Sequence, residues 1–248
     1  DIIKARMERS GVRRDICDST ISRLYPAGTL TDLLGGSGTL NLKTYGAGGL
    51  STMAIRGANS MQTPVVWNGI NLQNVNNNTV DLSLLPVFLF DRIAVQPGSS
   101  SAAWGSGAIG GVVKLSSLPR DRTHTGNYFR NPYSNHKVVL EYGSFGATMF
   151  GVKVAGGKGK WNYDLKLYRQ FSLNNFWYTN TSTTDQRREQ LSHATMLQHG
   201  FMTEVAYNDK FVLRVWVQET NREIPPTMLQ SANEATQHDY ACRIVGEW

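Results

Sequence analysis

The second half of this chain alternates apolar and polar residues one by one, and that period constrains its fold more than any other feature. Trp161, Tyr163, Leu165, Leu167 and Phe171 interleave with Asn162, Asp164, Lys166 and Gln170. Phe211, Leu213, Val215 and Val217 interleave with Arg214, Trp216 and Gln218. Successive side chains of a strand point to opposite faces, so this period gives each segment one apolar and one polar face. Six strands are expected, at about 136–143, 146–155, 160–171, 197–207, 211–220 and 238–248.

Their connections alternate too. Gly156–Lys160 and Asn208–Lys210 are tight turns, whereas Ser172–Met196 and Asn221–Gln237 are long and polar. Short turns at one end and long loops at the other are the habit of an outer-membrane β-barrel. The strand lengths are near the roughly 9–11 residues that a tilted strand needs to cross a bilayer. Trp161, Tyr207, Phe211 and Trp248 all fall on the apolar face, at or near the short-turn end. Aromatic rings settle at the headgroup level, so such a cluster is an interfacial girdle. A soluble sandwich alternates in the same way but does not require aromatics gathered at one edge. Six antiparallel strands cannot close a membrane barrel, and lipid does not tolerate open edges. The expectation is therefore that these are the N-terminal strands of a longer barrel.

Composition excludes several other classes. The formal charge is +6 over 248 residues, with no basic run in either half, so nucleic acid is not an expected partner. No stretch reaches the roughly 18 apolar residues of a spanning helix. Cys17 and Cys242 are far apart and fit no metal-ligand spacing, and neither a metal nor a cofactor is expected. No signal peptide is visible at Asp1, which leaves a cytoplasmic chain or a processed product.

The first half reads differently, as short mixed elements. Thr29–Leu34 resembles a short helix with Thr29 as its cap and Gly35-Gly36 ending it. Leu40–Tyr45, Ser51–Ile55, Pro64–Asn68 and Arg92–Gln96 read as strands, with a helical turn at Leu82–Val87. Asn59–Thr63 and Asn71–Thr79 are the long loops of what is expected to be a compact α+β domain over residues 1–123, before barrel strands over 124–248.

Gly105-Ser-Gly107-Ala-Ile-Gly110 formally matches a dinucleotide fingerprint. Such a fingerprint must come after a strand and open a helix, because the pyrophosphate sits on the helix N-terminus. Here the order is reversed: Ser99–Trp104 reads as a helical turn and Gly111–Leu115 as a strand. The glycines are instead expected to form a tight corner with positive φ. No nucleophile-elbow motif places a serine with a histidine, so hydrolase chemistry has no support and no catalytic residue is expected.

Ile55-Arg56-Gly57, Val65-Val66-Trp67-Asn68-Gly69-Ile70, Asp81–Pro86, Asp91–Val95 and Ala103–Val112, in that order, closely resemble the plug domain of TonB-dependent outer-membrane transporters. The second half is similar to the first strands of that family's barrel. The resemblance implies an α+β plug inside a transmembrane antiparallel β-barrel, of which about six N-terminal strands lie in this chain. It departs from the family at Gln96-Pro97-Gly98, where Arg-Gly-Pro is common, and the family's energy-coupling box is expected upstream of Ile2. Tyr45–Thr52 and Trp67–Ile70 look like the cobalamin-receptor-like branch found in Bacteroidetes, while Trp104–Gly107 differs from the Tyr-Gly-Ser-Arg of that phylum's glycan importers.

The resemblance implies transport across the outer membrane, not catalysis. The ligand would be scarce, a cobalamin or other corrinoid foremost, with ferric siderophore, haem or oligosaccharide as alternatives. A non-transporting adhesin or structural barrel is the alternative of another class. Expected partners are a TonB-type energy-coupling protein, outer-membrane lipid and a surface lipoprotein lid. Ligand contacts are expected from Asn59, Ser60, Met61 and Gln62 in the first loop and Gln73, Asn74, Asn76 and Asn77 in the second. Side-chain amides both donate and accept hydrogen bonds, which suits a corrinoid's many amides; the plainer reading is that Asn and Gly make turns. Arg56 and Arg92 are expected to be polar latches within the plug or to the barrel. The calcium-binding acidic loops of some cobalamin receptors are not expected, since Ser172–Met196 offers only Asp185 and Glu189.

Overall fold

The computed structural model describes residues 15–17, 28–35, 40–46, 49–55, 57–74, 76–98, 104, 107–117, 133–181, 186–208, 211–225 and 235–248. The chain divides into two units, Asp1–Leu118 and Pro119–Trp248. Arg56, Gly105, Asp185 and most of the expected turn at Ser99–Trp104 lie outside the described residues.

The first unit contains β1 (Asp15–Cys17), α1 (Leu30–Gly35), β2 (Leu40–Thr44), β3 (Ser51–Ile55), β4 (Val65–Trp67), β5 (Ile70–Asn71), β6 (Arg92–Pro97) and β7 (Gly111–Ser116). A five-stranded sheet runs in the order β1-β6-β7-β4-β5, and β2 pairs with β3 as a separate hairpin. Strand β7 lies parallel to β4 and antiparallel to β6. Its Gly-Val-Val-Lys-Leu-Ser run is apolar on both faces at Val112, Val113 and Leu115, as a strand covered on both sides requires. Trp67, Val65, Ile55, Leu30, Leu34, Leu82 and Leu89 complete a buried core.

Local chemistry sets the connections. Between β4 and β5, Asn68 and Gly69 both take positive φ, 45° and 94°. A two-residue hairpin turn of this type demands that of both central residues, which is why Asn-Gly stands there. Asn68 also ties down the chain's exit from the sheet. Its Nδ2 donates to Ser117 Oγ at 2.7 Å, and its Oδ1 accepts from the Ser117 N–H at 3.3 Å. The Trp67 indole donates to the same hydroxyl at 3.2 Å.

Thr29 stands before α1 as expected, but its side chain donates where a cap would accept. Asp32 Oδ2 takes both the Thr29 N–H (2.7 Å) and its hydroxyl (2.9 Å), the reciprocal half of a capping box. The helical turn expected at Leu82–Val87 is two 3₁₀ turns, Leu82–Leu84 and Val87–Leu89. Pro86 between them has no N–H to continue the first. Asp81 Oδ1 caps the first turn through Ser83 (N–H at 3.0 Å, hydroxyl at 2.6 Å) and also accepts from the Ser51 N–H at 3.0 Å. One carboxylate oxygen thereby joins the β2–β3 hairpin to the turn. Strands β1 and β5 add to those expected: at three and two residues they are too short to show a period.

The second unit contains β8 (Tyr133–Tyr142), β9 (Thr148–Lys158), β10 (Trp161–Ser172), β11 (Trp177–Thr179), β12 (Arg188–Gln190), β13 (Met196–Tyr207), β14 (Phe211–Ile224) and β15 (Ala235–Glu247). Its six-stranded antiparallel meander, β15-β14-β13-β10-β9-β8, is the one the alternation predicts. The connection Ser172–Met196 is not a plain loop: β11 and β12 pair as a hairpin within it. Tyr178 donates to Glu189 Oε2 at 3.1 Å and Arg188 sits over the Trp177 ring at 5.6 Å. Partial burial, then the bond to Glu189, raises the Tyr178 phenol above its ordinary pKa. The β8–β9 connection, Gly143–Ala147, is short although it lies at the long-loop end; Phe145 there packs edge-on against Phe176 at 5.7 Å.

The two faces of this sheet are inverted relative to a protein in water. Leu140, Phe150, Trp161, Leu167, Phe211, Leu213, Val217 and Ile244 are exposed, Leu140 at 76%. Lys153, Asp164, Lys166, Gln170, Gln198, Glu204, Arg214 and Arg222 are buried, Lys166 and Gln198 completely. Most of the buried charges are paired: Asp164 lies 3.3 Å from Lys153 and 3.8 Å from Lys166, and Arg214 lies 2.7 Å from Glu204 and 2.8 Å from Glu247, while Arg222 Nε donates to Gln237 Oε1 at 2.9 Å. Trp216, fully buried on this polar face, has the Arg243 guanidinium 4.8 Å from its ring. The expected girdle forms: Trp161 pairs with Tyr207 and Tyr207 with Phe211, and the Trp161 and Tyr207 rings are 4.8 Å apart.

No described helix is long and apolar enough to cross a membrane; the exposed apolar strand face is what would meet lipid. Val215 lies midway along that face of β14. Val215→Arg should therefore cost about 2–4 kcal/mol of folding free energy in a bilayer, read as a lower folded fraction by heat-modifiable gel mobility in lipid vesicles. Mobility unchanged from the parent would contradict a lipid-facing Val215.

Candidate functional site

Three segments of the first unit converge: Asn59–Thr63, Asn71–Thr79 and the glycine-bearing corner at Gly107–Gly111. In the first, Asn59 Oδ1 accepts from the Gln62 N–H at 3.0 Å while Gln62 Oε1 accepts from the Asn59 N–H at 3.3 Å. This is a reciprocal capping box on the one-turn 3₁₀ helix Ser60–Gln62. Thr63, buried at the end of the turn, donates its hydroxyl to the Asn59 carbonyl at 3.3 Å.

The second loop folds on its own amides. Asn71 Oδ1 accepts from the Gln73 N–H (3.0 Å), Asn74 Oδ1 from the Asn76 N–H (2.9 Å) and Asn77 Oδ1 from the Thr79 N–H (3.1 Å). These are Asx turns, in which the side chain substitutes for a backbone acceptor two residues away. Gln73 does something different. Its Nε2 donates to the Met61 carbonyl at 3.1 Å and the Asn78 carbonyl at 2.8 Å, bracing one loop against the other.

The corner supports both. The Gly110 N–H donates to the Gln62 carbonyl at 3.1 Å, and the Gly98 N–H to the Gly110 carbonyl at 2.9 Å. Positive φ is the expected reason for the glycines. Neither Gly107 nor Gly110 takes it: at Gly110 the need is space, and positive φ falls on the next residue, Gly111, at 149°, where the strand begins. A Cβ on Gly110 would lie 2.4 Å from Ala58 Cβ and 3.0 Å from the Ile55 carbonyl oxygen. At Gly107 a Cβ would approach the Met61 carbonyl at 3.4 Å. Lys114 on β7 sits 4.5 Å from the ring of Trp104.

The eight expected contact residues thus fall into two groups. Gln73 spends both ends of its amide on holding the loops, its Oε1 accepting from Asn71 Nδ2 at 2.9 Å, whereas Asn59 and Gln62 spend only their oxygens, on the capping box. Asn74 and Asn77 use their oxygens for turns, and the NH₂ groups of Asn59, Gln62, Asn74 and Asn77, with the whole amide of Asn76 and the Ser60 hydroxyl, make no hydrogen bond among the described residues. Met61 in the first loop and Ile109 in the corner are exposed, at 49% and 55%. The loops and corner therefore offer N–H donors and apolar side chains, a combination that fits a ligand rich in acceptors with an apolar edge. Sequence reading finds the loops; it misses Gln73 as the brace, because that role depends on a contact between segments. Arg92 opens β6 opposite Ser116 and is exposed. In the hairpin of the second unit, the Glu189 carboxylate is taken by Tyr178 and by Asn180 at 3.3 Å.

Gly110→Ala should destabilise the first unit by about 1–3 kcal/mol, since the added methyl meets backbone that cannot withdraw. Hydrogen exchange should show the loss as faster exchange at the Gln62-bonded Gly110 amide position and along β7. Exchange rates equal to the parent's would refute the close-approach account.

Comparison with known proteins places this site in a family context. Residues 9–112 match the family model described as TonB-dependent Receptor Plug Domain. A 99-residue stretch is 34% identical to the vitamin B12 transporter BtuB of Vibrio vulnificus (strain YJ016), covering 40% of this chain and 14% of that protein. The copper transporter OprC resembles the chain with a TM-score of 0.65 at 13% identity, over 95% of this chain and 35% of that one. A G324V mutant of the ferric enterobactin receptor PfeA from Pseudomonas aeruginosa does so with a TM-score of 0.62 at 14% identity, over 99% and 40%. The chain spans well under half the length of each. At these identities the solved structures show the fold alone, while the match over residues 9–112 is to the plug of TonB-dependent receptors and the 99-residue likeness is to a vitamin B12 transporter.

Proposed function

We propose that this chain is part of a TonB-dependent outer-membrane transporter that takes up a corrinoid, cobalamin foremost, with the converged loops of its plug as part of the ligand surface. The observation that carries the ligand reading is the set of unengaged amide donors at Asn74, Asn76 and Asn77, on a loop that Gln73 braces against the Met61 carbonyl. A corrinoid presents amide carbonyls around an apolar ring edge, which such a surface complements. The likeness to a vitamin B12 transporter over 99 residues supports the same ligand. The solved structures named for copper and ferric enterobactin, at 13% and 14% identity, bear on fold and leave the ligand to the site's own chemistry.

In this reading Ser60, Met61, Asn74, Asn76 and Asn77 contact ligand, while Asn59, Gln62 and Gln73 hold the contact residues in place. Arg56 and Arg92 act as polar latches. No bond in the ligand is made or broken. Binding at the outer side is relayed to a TonB-type protein, which pulls on a coupling segment upstream of the plug and remodels it. A Bacteroidetes-type receptor with a surface lipoprotein lid is the subtype that Tyr45–Thr52 favours.

Calorimetry of the full-length protein in detergent with cyanocobalamin tests this. Sub-micromolar binding is expected. Asn76→Ala together with Asn77→Ala should weaken it about tenfold, since two neutral hydrogen bonds of roughly 1 kcal/mol each exceed the 1.4 kcal/mol of a decade. No heat with any corrinoid, alongside binding of a ferric siderophore, would replace the corrinoid by that class.

A further inference from the structure

The β11–β12 hairpin presents an aromatic ring, a cation and two oxygen atoms on one face, and little of that chemistry is spent on the fold. Register places Trp177 opposite Gln190 and Thr179 opposite Arg188. Side chains two apart on a strand share a face, so these four stand together. All four are exposed, Trp177 at 56%. The Arg188 guanidinium lies 5.6 Å from the centre of the Trp177 ring. It makes no hydrogen bond or ion pair among the described residues, and neither the Trp177 indole N–H, the Thr179 hydroxyl nor Gln190 Oε1 makes a hydrogen bond there.

The opposite face is where the hairpin is held. Tyr178 donates to Glu189 Oε2 at 3.1 Å, and Asn180 donates to the same oxygen at 3.3 Å. The one carboxylate of the two strands is thereby turned away from Arg188 and already engaged. Main-chain bonds close both ends: the Leu191 N–H donates to the Phe176 carbonyl and the Asn180 N–H to the Arg187 carbonyl, each at 2.9 Å. Gln190 Nε2 donates to the Asn175 carbonyl at 3.0 Å, which leaves its oxygen fixed on the exposed side. Groups held in this way lose little entropy when they bind. The hairpin also stands at the long-loop end of the sheet, because β10 runs from Trp161 in the girdle to Ser172, where this connection begins. The long loops of an outer-membrane barrel face outward, the side from which a ligand arrives.

An exposed indole takes a flat ring by stacking. A guanidinium beside it takes an anion, phosphate above all, through paired N–H donors. A free hydroxyl and an amide oxygen suit the hydroxyl groups of a sugar. Ring, sugar and phosphate joined in one unit make a nucleotide; a lone ring or a neutral sugar would leave the Arg188 charge unmatched. Cobalamin carries such a unit, since a benzimidazole, a ribose and a phosphodiester hang from its corrin ring. We propose that the exposed face of the β11–β12 hairpin binds the nucleotide end of the corrinoid, with the base stacked on Trp177 and the phosphate paired with Arg188. The site rests on the proposed corrinoid function. It lies in the second unit and uses none of the plug-loop residues.

Calorimetry of the full-length protein in detergent with cyanocobalamin and with dicyanocobinamide tests it, because the second probe keeps the corrin ring and its amides but lacks the phosphate, ribose and base. The parent should bind cyanocobalamin more tightly than dicyanocobinamide by about tenfold or more. Trp177→Ala should weaken cyanocobalamin about tenfold and leave dicyanocobinamide within about twofold of the parent. Arg188→Ala should act in the same way, and Arg188→Lys should recover part of the loss by restoring the charge without the fork. Heat-modifiable gel mobility confirms that each variant folds. Parental affinity of Trp177→Ala for cyanocobalamin would overturn the hairpin site and leave the corrinoid reading standing. Equal losses for both probes would overturn it too, since the two residues would then act elsewhere than on the nucleotide end. Binding of neither probe by the parent would remove the corrinoid reading and this site with it.

Discussion

Pairing of buried charge on one face of the β8–β15 sheet is the constraint on which the second unit depends. A strand that alternates must commit each parity to one environment. Here the polar side chains Asp164, Lys166 and Gln170 of β10 and Arg214, Gln218, Thr220 and Arg222 of β14, all even-numbered, are removed from solvent. Withdrawing an ion from water costs several kcal/mol unless a partner and further hydrogen bonds replace the lost hydration. Asp164 meets this by sitting between Lys153 and Lys166, and Arg214 by lying between Glu204 and Glu247. Each group draws on adjacent strands, so the pairs also fix register: a one-residue slip would send every one of them to the apolar side. The exposed hydrocarbon of the other parity is stable only where the solvent is itself apolar.

In the first unit the governing issue is how polar loops can be both firm and available. Every backbone turn there needs acceptors, and Asn and Gln oxygens supply them over one to three residues. That leaves the amide nitrogens as the groups free to face outward. Gln73 and the Gly107–Gly111 corner then fix the two loops to one another through main-chain contacts, which side-chain substitutions elsewhere on the surface leave untouched. Preorganised donors lose little entropy when they bind, the general requirement for affinity from a small polar surface.

Much of this is legible in the order of residues. All six long strands can be placed from period two, because the pattern persists over a dozen residues and each face has one environment. Asn68-Gly69 and the loops around Gln62 and Asn74 can be placed from turn chemistry alone. The elements that escape such reading are short or depend on distant partners. Strands β1 and β5 exist because β6 and β4 offer an edge, and β11–β12 because Tyr178 and Glu189 meet across a loop. The glycines of the corner stand where turn chemistry expects them but not for the expected reason: Gly107 and Gly110 have no positive φ, and at Gly110 it is the closeness of Ala58 that excludes a side chain, a fact about another segment that no local rule contains.

The parallel pairing of β4 with β7 carries a consequence for the order of assembly. Val65 meets Val113, and Asp15 of β1 meets Val95 of β6. Ladders that span such long stretches of chain close slowly, because loop entropy must be overcome before the contacts repay it. The meander beyond Tyr133 joins neighbours in sequence, interrupted chiefly by the β11–β12 hairpin and the β14–β15 connection. A chain emerging from its N-terminal end therefore exposes the edges of β4 and β6 until Gly111–Ser116 arrives to fill the gap between them. During that interval the first unit is the part of the molecule most in need of protection from aggregation.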